Sequence, residues 1–88
     1  MMYNRGMQEY EIIVEFSFNS RQDVFVIRFL NGDSYCLKVS DLPKKMLTRK
    51  PDFEGSRLNG DRNAILYEAG KDLRQIASHV VHSRGKML

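Results

Sequence analysis

The pair Asn31-Gly32, lying between two alternating apolar runs, constrains this chain more than any other feature. Before it stands DVFVIRFL, from Asp23 to Leu30, and after it SYCLKV, from Ser34 to Val39. Asn-Gly suits a type I′ turn because both central residues need positive φ, and the twist of that turn matches the strands it joins. The stretch therefore reads as a β-hairpin. In its first strand Phe25, Ile27 and Phe29 share one face, while Val24, Val26, Arg28 and Leu30 share the other. A strand apolar on both faces is central in its sheet or covered on one side.

An earlier run, Tyr10 to Phe18 (YEIIVEFSF), alternates in the same way. Tyr10, Ile12, Val14, Phe16 and Phe18 form one face, and Glu11, Glu15 and Ser17 the other; Ile13 breaks the pattern. Period two with β-branched and aromatic residues marks a half-buried strand. Asn19 to Gln22 is a polar break and reads as the turn between the two strands.

After the hairpin, Ser40-Asp41-Leu42-Pro43 carries helix-start chemistry. A Ser or Asp side chain accepts from a free N–H, and proline fits the first turn. Pro51 forbids continuation. A short helix over 42–48 is expected, burying Leu42, Met46 and Leu47. Pro51 to Gly55 reads as a loop, Ser56 to Leu58 as a strand candidate, Asn59-Gly60-Asp61 as a turn and Ala64 to Tyr67 as a strand. The tail has two readings. Either Asp72 caps one helix running to Ser83, or Glu68 to Asp72 turns the chain back into a strand over 73–76 and only Ala77 to His82 is helical. The second is preferred, because a lone strand over 64–67 would leave its backbone unpaired.

The fold class expected is α+β, an antiparallel sheet of about five strands with two short helices in the order β-β-β-α-β-β-α. At 88 residues the chain has room for one domain. Residues 1–8 and 85–88 are expected to be flexible ends.

Function is approached mostly by exclusion. The single cysteine, Cys36, allows neither an intramolecular disulfide nor a cysteine-based zinc site, and mid-strand it reads as a small buried hydrophobe. With no apolar run long enough for a bilayer or a leader sequence, no membrane contact and a cytoplasmic location are expected. The glycines are scattered and match no phosphate loop, and no serine sits in a nucleophile elbow. His79 and His82 share a helical face but lack a third ligand nearby, so no metal or other cofactor is expected. Glu11 and Glu15 share one face of the first strand and lie about 13 Å apart at ~3.3 Å per residue, too far for an acid–base pair on one small substrate. No catalytic residue is assigned, and the chain is expected not to be an enzyme.

Charge gives the remaining lead. Residues 1–43 carry four basic and six acidic groups, a balance of −2; residues 44–88 carry ten and five, a balance of +5. Lys44, Lys45, Arg49 and Lys50 crowd the expected short helix, and Arg84 and Lys86 the C-terminus. These six are candidate contacts for phosphate or an acidic partner if they share a side; ordinary solvated surface is the other reading. The sheet aromatics, Tyr10, Phe16, Phe18, Phe25, Phe29 and Tyr35, read as core or as a base-stacking platform.

The order of features, carried by VIRFLNGDSYCLKVSDLP and AILYEAGKDLRQIASHVVHS, resembles a family of short uncharacterised bacterial proteins, a domain of unknown function. The segment RKPDFEGSRLNGDRN has no counterpart in that pattern. The resemblance covers residues 10–83, and it implies an α+β fold and an accessory or regulatory binding role, with no site residues to carry over. The function expected is a small binding or regulatory module acting through protein–protein contacts, with a protein partner or self-association. The alternative is a nucleic-acid-binding accessory protein using the basic half.

Overall fold

A computed structural model describes residues 6–88. Seven strands form two antiparallel sheets: β1 (Ile13–Asn19), β2 (Val24–Phe29), β3 (Ser34–Lys38), β4 (Pro51–Leu58), β5 (Ala64–Ala69), β6 (Asp72–Ala77) and β7 (Lys86–Met87). One sheet runs β1-β2-β3-β7 and the other β4-β5-β6. One α-helix, α1 (Ser78–Arg84), carries the chain from β6 to β7 and so from the second sheet back to the first. The class is α+β as expected, but the single five-stranded sheet is replaced by two sheets, and the described residues form one α-helix rather than two.

Alternation explains the layering. Phe25, Ile27, Phe29, Tyr35 and Leu37 point inward from the first sheet, and Phe53, Ile65, Tyr67, Ala69 and Ile76 from the second. Their faces share one core, which α1 completes with Val80 and Val81. At roughly 1.5–3 kcal/mol for each fully buried large apolar side chain, this core is the main source of stability.

Four local departures have identifiable causes. The first is in β1. Tyr10 and Glu11 belong to a 3₁₀ turn (Glu9–Glu11), so the strand starts later than expected, and Glu11 and Glu15 do not share it. Ile13 then pairs with Phe29, but Glu15 pairs with Arg28, so one residue is extra at Val14. That β-bulge lets Ile13 face inward together with Phe16 and Phe18 although their spacing is odd. Ile13, the exception to the alternation, is therefore in the core, and Val14, expected on the apolar face with Phe16 and Phe18, is instead the half-buried bulge residue.

The second departure is the first hairpin. Asn31-Gly32 does turn the chain, but not as a two-residue type I′ loop. Phe29 N–H bonds the Asp33 carbonyl (2.8 Å) and Gly32 N–H the Phe29 carbonyl (2.9 Å), leaving a three-residue loop, Leu30 to Gly32. Only Gly32 has positive φ (+97°), the arrangement of a tight turn followed by a glycine bulge. Asn31 instead uses its side-chain oxygen to accept from Asp33 N–H (3.0 Å).

Third, residues 42–48 form no α-helix. Two 3₁₀ turns, Val39–Asp41 and Lys44–Leu47, occupy the region, and neither Ser40 nor Asp41 caps them. The expected stripe still docks: Leu42 is buried, and Met46 and Leu47 pack on the core. Packing is satisfied without the backbone regularity that the spacing suggested. Fourth, β4 includes the expected loop 51–55. Its register slips between Asp52 and Arg57, and the slack is stitched locally by Gly55 N–H to Asp52 Oδ1 (3.1 Å). The C-terminal end also differs from a loose tail: Lys86–Met87 pairs with β3, and Leu88 N–H reaches the Ser34 carbonyl (2.8 Å). Of the expected loose N-terminus, residues 1–5 lie outside the described residues.

The hairpin reading of the tail matches the structure. β5 and β6 pair without a slip from Ala64↔Ala77 to Ala69↔Asp72, and Gly70 with positive φ (+63°) opens the two-residue loop between them.

Candidate functional site

The strand edges are the surfaces where the fold leaves binding chemistry unspent. An antiparallel edge presents a row of N–H and C=O groups with no neighbour. On the first sheet, β7 has two residues. The start of β1 is closed by the loop before β5. Arg62 accepts from Ile13 N–H through its own carbonyl (2.7 Å), and its guanidinium donates to the carbonyls of Ile13 (3.2 Å) and Val14 (2.9 Å). On the second sheet, β4 begins with a proline and slips in register. β6 has none of these devices. Its six residues form the longest edge of unbroken register among the described strands.

Antiparallel pairing alternates hydrogen-bonded and non-bonded pairs. The Ala69–Asp72 pair closes the two-residue loop, so Asp72, Arg74 and Ile76 face β5, Leu73 and Gln75 turn both backbone groups outward, and Ala77 turns only its N–H outward, because as N-cap of α1 its carbonyl accepts the first bond of the helix. Among the described residues, no loop or side chain bonds the backbone of Leu73 or Gln75. Leu73 is 58% exposed, an apolar side chain standing beside the open edge. Inward-pointing charges often protect edges, and Arg74 points inward. Its charge is occupied, however. It donates to the carbonyls of Lys45 and Thr48 (both 3.0 Å) and lies 3.6 Å from Asp72. Beside it the Tyr67 hydroxyl donates to the Met46 carbonyl (2.9 Å), and burial raises that phenol's pKa above 10.0, with Arg74 opposing the rise.

Of the six basic candidates, Lys44 and Arg84 are brought onto one groove of roughly 670 Å³, together with Ser40, Asp41 and Ser83. Arg49 is ion-paired to Asp72 (3.1 Å). Lys86 pairs with Cys36 on β7, within the first sheet. Lys45 and Lys50 are exposed, Lys45 on the turn whose carbonyl Arg74 holds and Lys50 at positive φ before β4.

His79 and His82 do share a groove, of roughly 480 Å³, with Tyr10, Glu11, Asn63 and Ser78. The groups there are largely committed to structure. His82 stacks on Phe29 at 4.5 Å, meets Tyr35 edge-on at 4.8 Å and donates through Nε2 to the Tyr10 carbonyl (2.6 Å). Ser78 Oγ donates to the Glu11 carbonyl (2.6 Å), and the Glu11 carboxylate accepts from Gln8 N–H (3.0 Å). These bonds pin the 3₁₀ turn before β1 onto α1. Among the described residues, no three His, Cys, Asp or Glu side chains gather as metal ligands.

Cys36 sits half-buried between Val26 and Lys86 in the strand register rather than in the core. Of the sheet aromatics, Phe25, Phe29 and Tyr35 are buried, and Phe16 and Phe18 pack against them, so these five form core rather than a stacking platform; Tyr10 is 50% exposed and lies against His82. The open edge of β6 was not singled out from sequence. Its signal was available only as Leu73 in a short strand between a glycine turn and the helix.

No helix among the described residues is long and apolar enough to cross a membrane. No family model, no curated protein and no solved structure matches this chain.

Proposed function

We propose that this protein is a binding module that takes on a partner strand along the free edge of β6. The observation that carries this reading is the outward backbone of Leu73 and Gln75, unbonded among the described residues and flanked by an exposed apolar side chain. In strand addition the main-chain bonds supply affinity and alternate side chains supply selectivity. Such contacts need no catalytic group, and they fit the accessory or regulatory role that the family resemblance implies.

Gln75→Pro tests it. Proline removes the outward N–H and is tolerated on sheet edges, while the pairing to β5 through Arg74 and Ile76 is kept. An array of immobilised extended peptides should retain the unmodified protein and not the variant. Equal retention of both, or of neither, refutes strand addition to peptides.

A second reading is favoured by the groove shared by Lys44 and Arg84, which presents two cations to an acidic ligand such as nucleic acid. Its test is binding of a labelled oligonucleotide at low salt, weakening as salt rises. Binding unchanged by Lys44→Glu with Arg84→Glu refutes this reading.

A further inference from the structure

We infer that the strand added to β6 is β6 of a second copy, paired antiparallel about a two-fold axis through Gln75. This rests on the open-edge reading above and names its partner. Two three-stranded sheets would then become one continuous sheet of six.

The register follows from the phase of the backbone. Outward groups must meet outward groups, so Leu73, Gln75 and Ala77 of one copy must face members of the same set in the other. A two-fold pairing that satisfies this is centred on a single residue. Centring on Gln75 sets Gln75 opposite itself, where both ladder bonds can form, and Leu73 opposite Ala77, whose N–H donates to Leu73 while its carbonyl stays in α1. Centring on Arg74 sets two guanidinium-bearing residues directly opposite each other, and like charges in that position are destabilising. Centring on Leu73 shortens the overlap, because the chain leaves β6 at the Gly70-Lys71 loop. Centring on Ile76 shortens it at the other end, where α1 begins.

The side chains agree with the Gln75 register. On the outer face the facing set is Leu73, Gln75 and Ala77, with no charge in it, so the exposed Leu73 lies across from a small residue and two carboxamides meet at the axis. On the inner face Arg74 faces Ile76, and its guanidinium already holds the carbonyls of Lys45 and Thr48. The contact is isologous, so it closes at two copies and leaves no second β6 edge to extend a fibre.

The test uses engineered cysteines in the full chain, with Cys36→Ser as background. An antiparallel hydrogen-bonded pair places its Cα atoms about 5.5 Å apart, within disulfide range. Gln75→Cys should therefore cross-link to a dimer under mild oxidation. Leu73→Cys sits ~14 Å from its own copy, four residues at ~3.4 Å each, and should not cross-link. Equal cross-linking at both positions, or none at position 75, overturns the register. Sedimentation of the unmodified chain across a wide concentration range should show a monomer–dimer equilibrium that Gln75→Pro abolishes. A monomer throughout overturns self-pairing. If that monomer still binds extended peptides and Gln75→Pro does not, the edge reading survives its partner's failure; if peptide binding is also indifferent to Gln75→Pro, both fall.

Discussion

Replacing Arg62 by methionine should be far more costly than its place in a surface loop suggests. The guanidinium bonds two carbonyls, Ile13 O at 3.2 Å and Val14 O at 2.9 Å, which the bulge in β1 exposes at the sheet edge. Methionine keeps much of the apolar stem and removes every donor. A hydrogen bond from a charged group contributes about 1.5–3 kcal/mol, and a buried acceptor left without a partner costs about 1–3 kcal/mol. Ile13 is fully buried but Val14 is half-buried, so water recovers part of the loss. The net is about 2–4 kcal/mol. A domain of this size has roughly 4–13 kcal/mol of total stability at ~0.05–0.15 kcal/mol per residue, so the variant keeps a folded state over all but the lowest part of that range. Urea unfolding followed by circular dichroism gives the number directly, and the Tm should fall by roughly 10–25 °C. Arg57→Met, on the exposed part of β4, is the control and should change stability by less than about 0.5 kcal/mol. If Arg62→Met is as mild as the control, the guanidinium does not hold the bulge, and the account of how the start of the β1 edge is closed fails.

Other perturbations follow from single contacts. A Cβ on Gly85 would lie 2.7 Å from the Val81 carbonyl oxygen and 3.2 Å from that of Cys36, both backbone, so Gly85→Ala should push β7 away from β3 and cost about 1–3 kcal/mol by thermal unfolding. Gly60→Ala meets open space and should unfold within about 0.5 kcal/mol of the parent. Tyr67→Phe should lose about 1 kcal/mol at neutral pH with the bond to Met46. Its second effect is on pH dependence: a phenol whose folded pKa is raised contributes stability that is intact below 10.0 and lost as pH climbs through the folded value. Alkaline titration of stability should therefore fall more steeply for the parent than for Tyr67→Phe, and parallel curves would contradict the assignment.

Much of the fold was legible because period-two patterns report burial directly. Phe25, Ile27 and Phe29 alternate without a break, and all three are in the core. The tail hairpin was also readable, from Gly70 and from the need to pair residues 64–67. What escaped was decided by contacts distant in sequence. The spacing of Leu42, Met46 and Leu47 suits an α-helix, but Arg74 and Tyr67 bond the carbonyls of Lys45, Met46 and Thr48 and hold that segment as a 3₁₀ turn. The first part of β4, Pro51 to Gly55, read as a loop, and Ser56 to Leu58 as a strand; β5 pairs with both ends of β4 while the middle bulges. The same limit applies to the site. Charge counting pointed to the six basic residues but could not show that Arg49 is paired with Asp72 or that Lys86 lies in a strand opposite Cys36. A free edge has no composition of its own, since it is defined by which strand lacks a neighbour.

Amide hydrogen exchange along β6, read residue by residue by NMR as the protein is diluted, tests the open edge most directly. In dilute solution Arg74 and Ile76, bonded to β5, should exchange slowly, and Leu73 and Gln75 fast; raising the concentration should protect the second pair as copies associate. Protection of Leu73 and Gln75 that persists unchanged at every dilution would mean that the edge is closed within one chain, and the binding surface assigned to β6 would not exist.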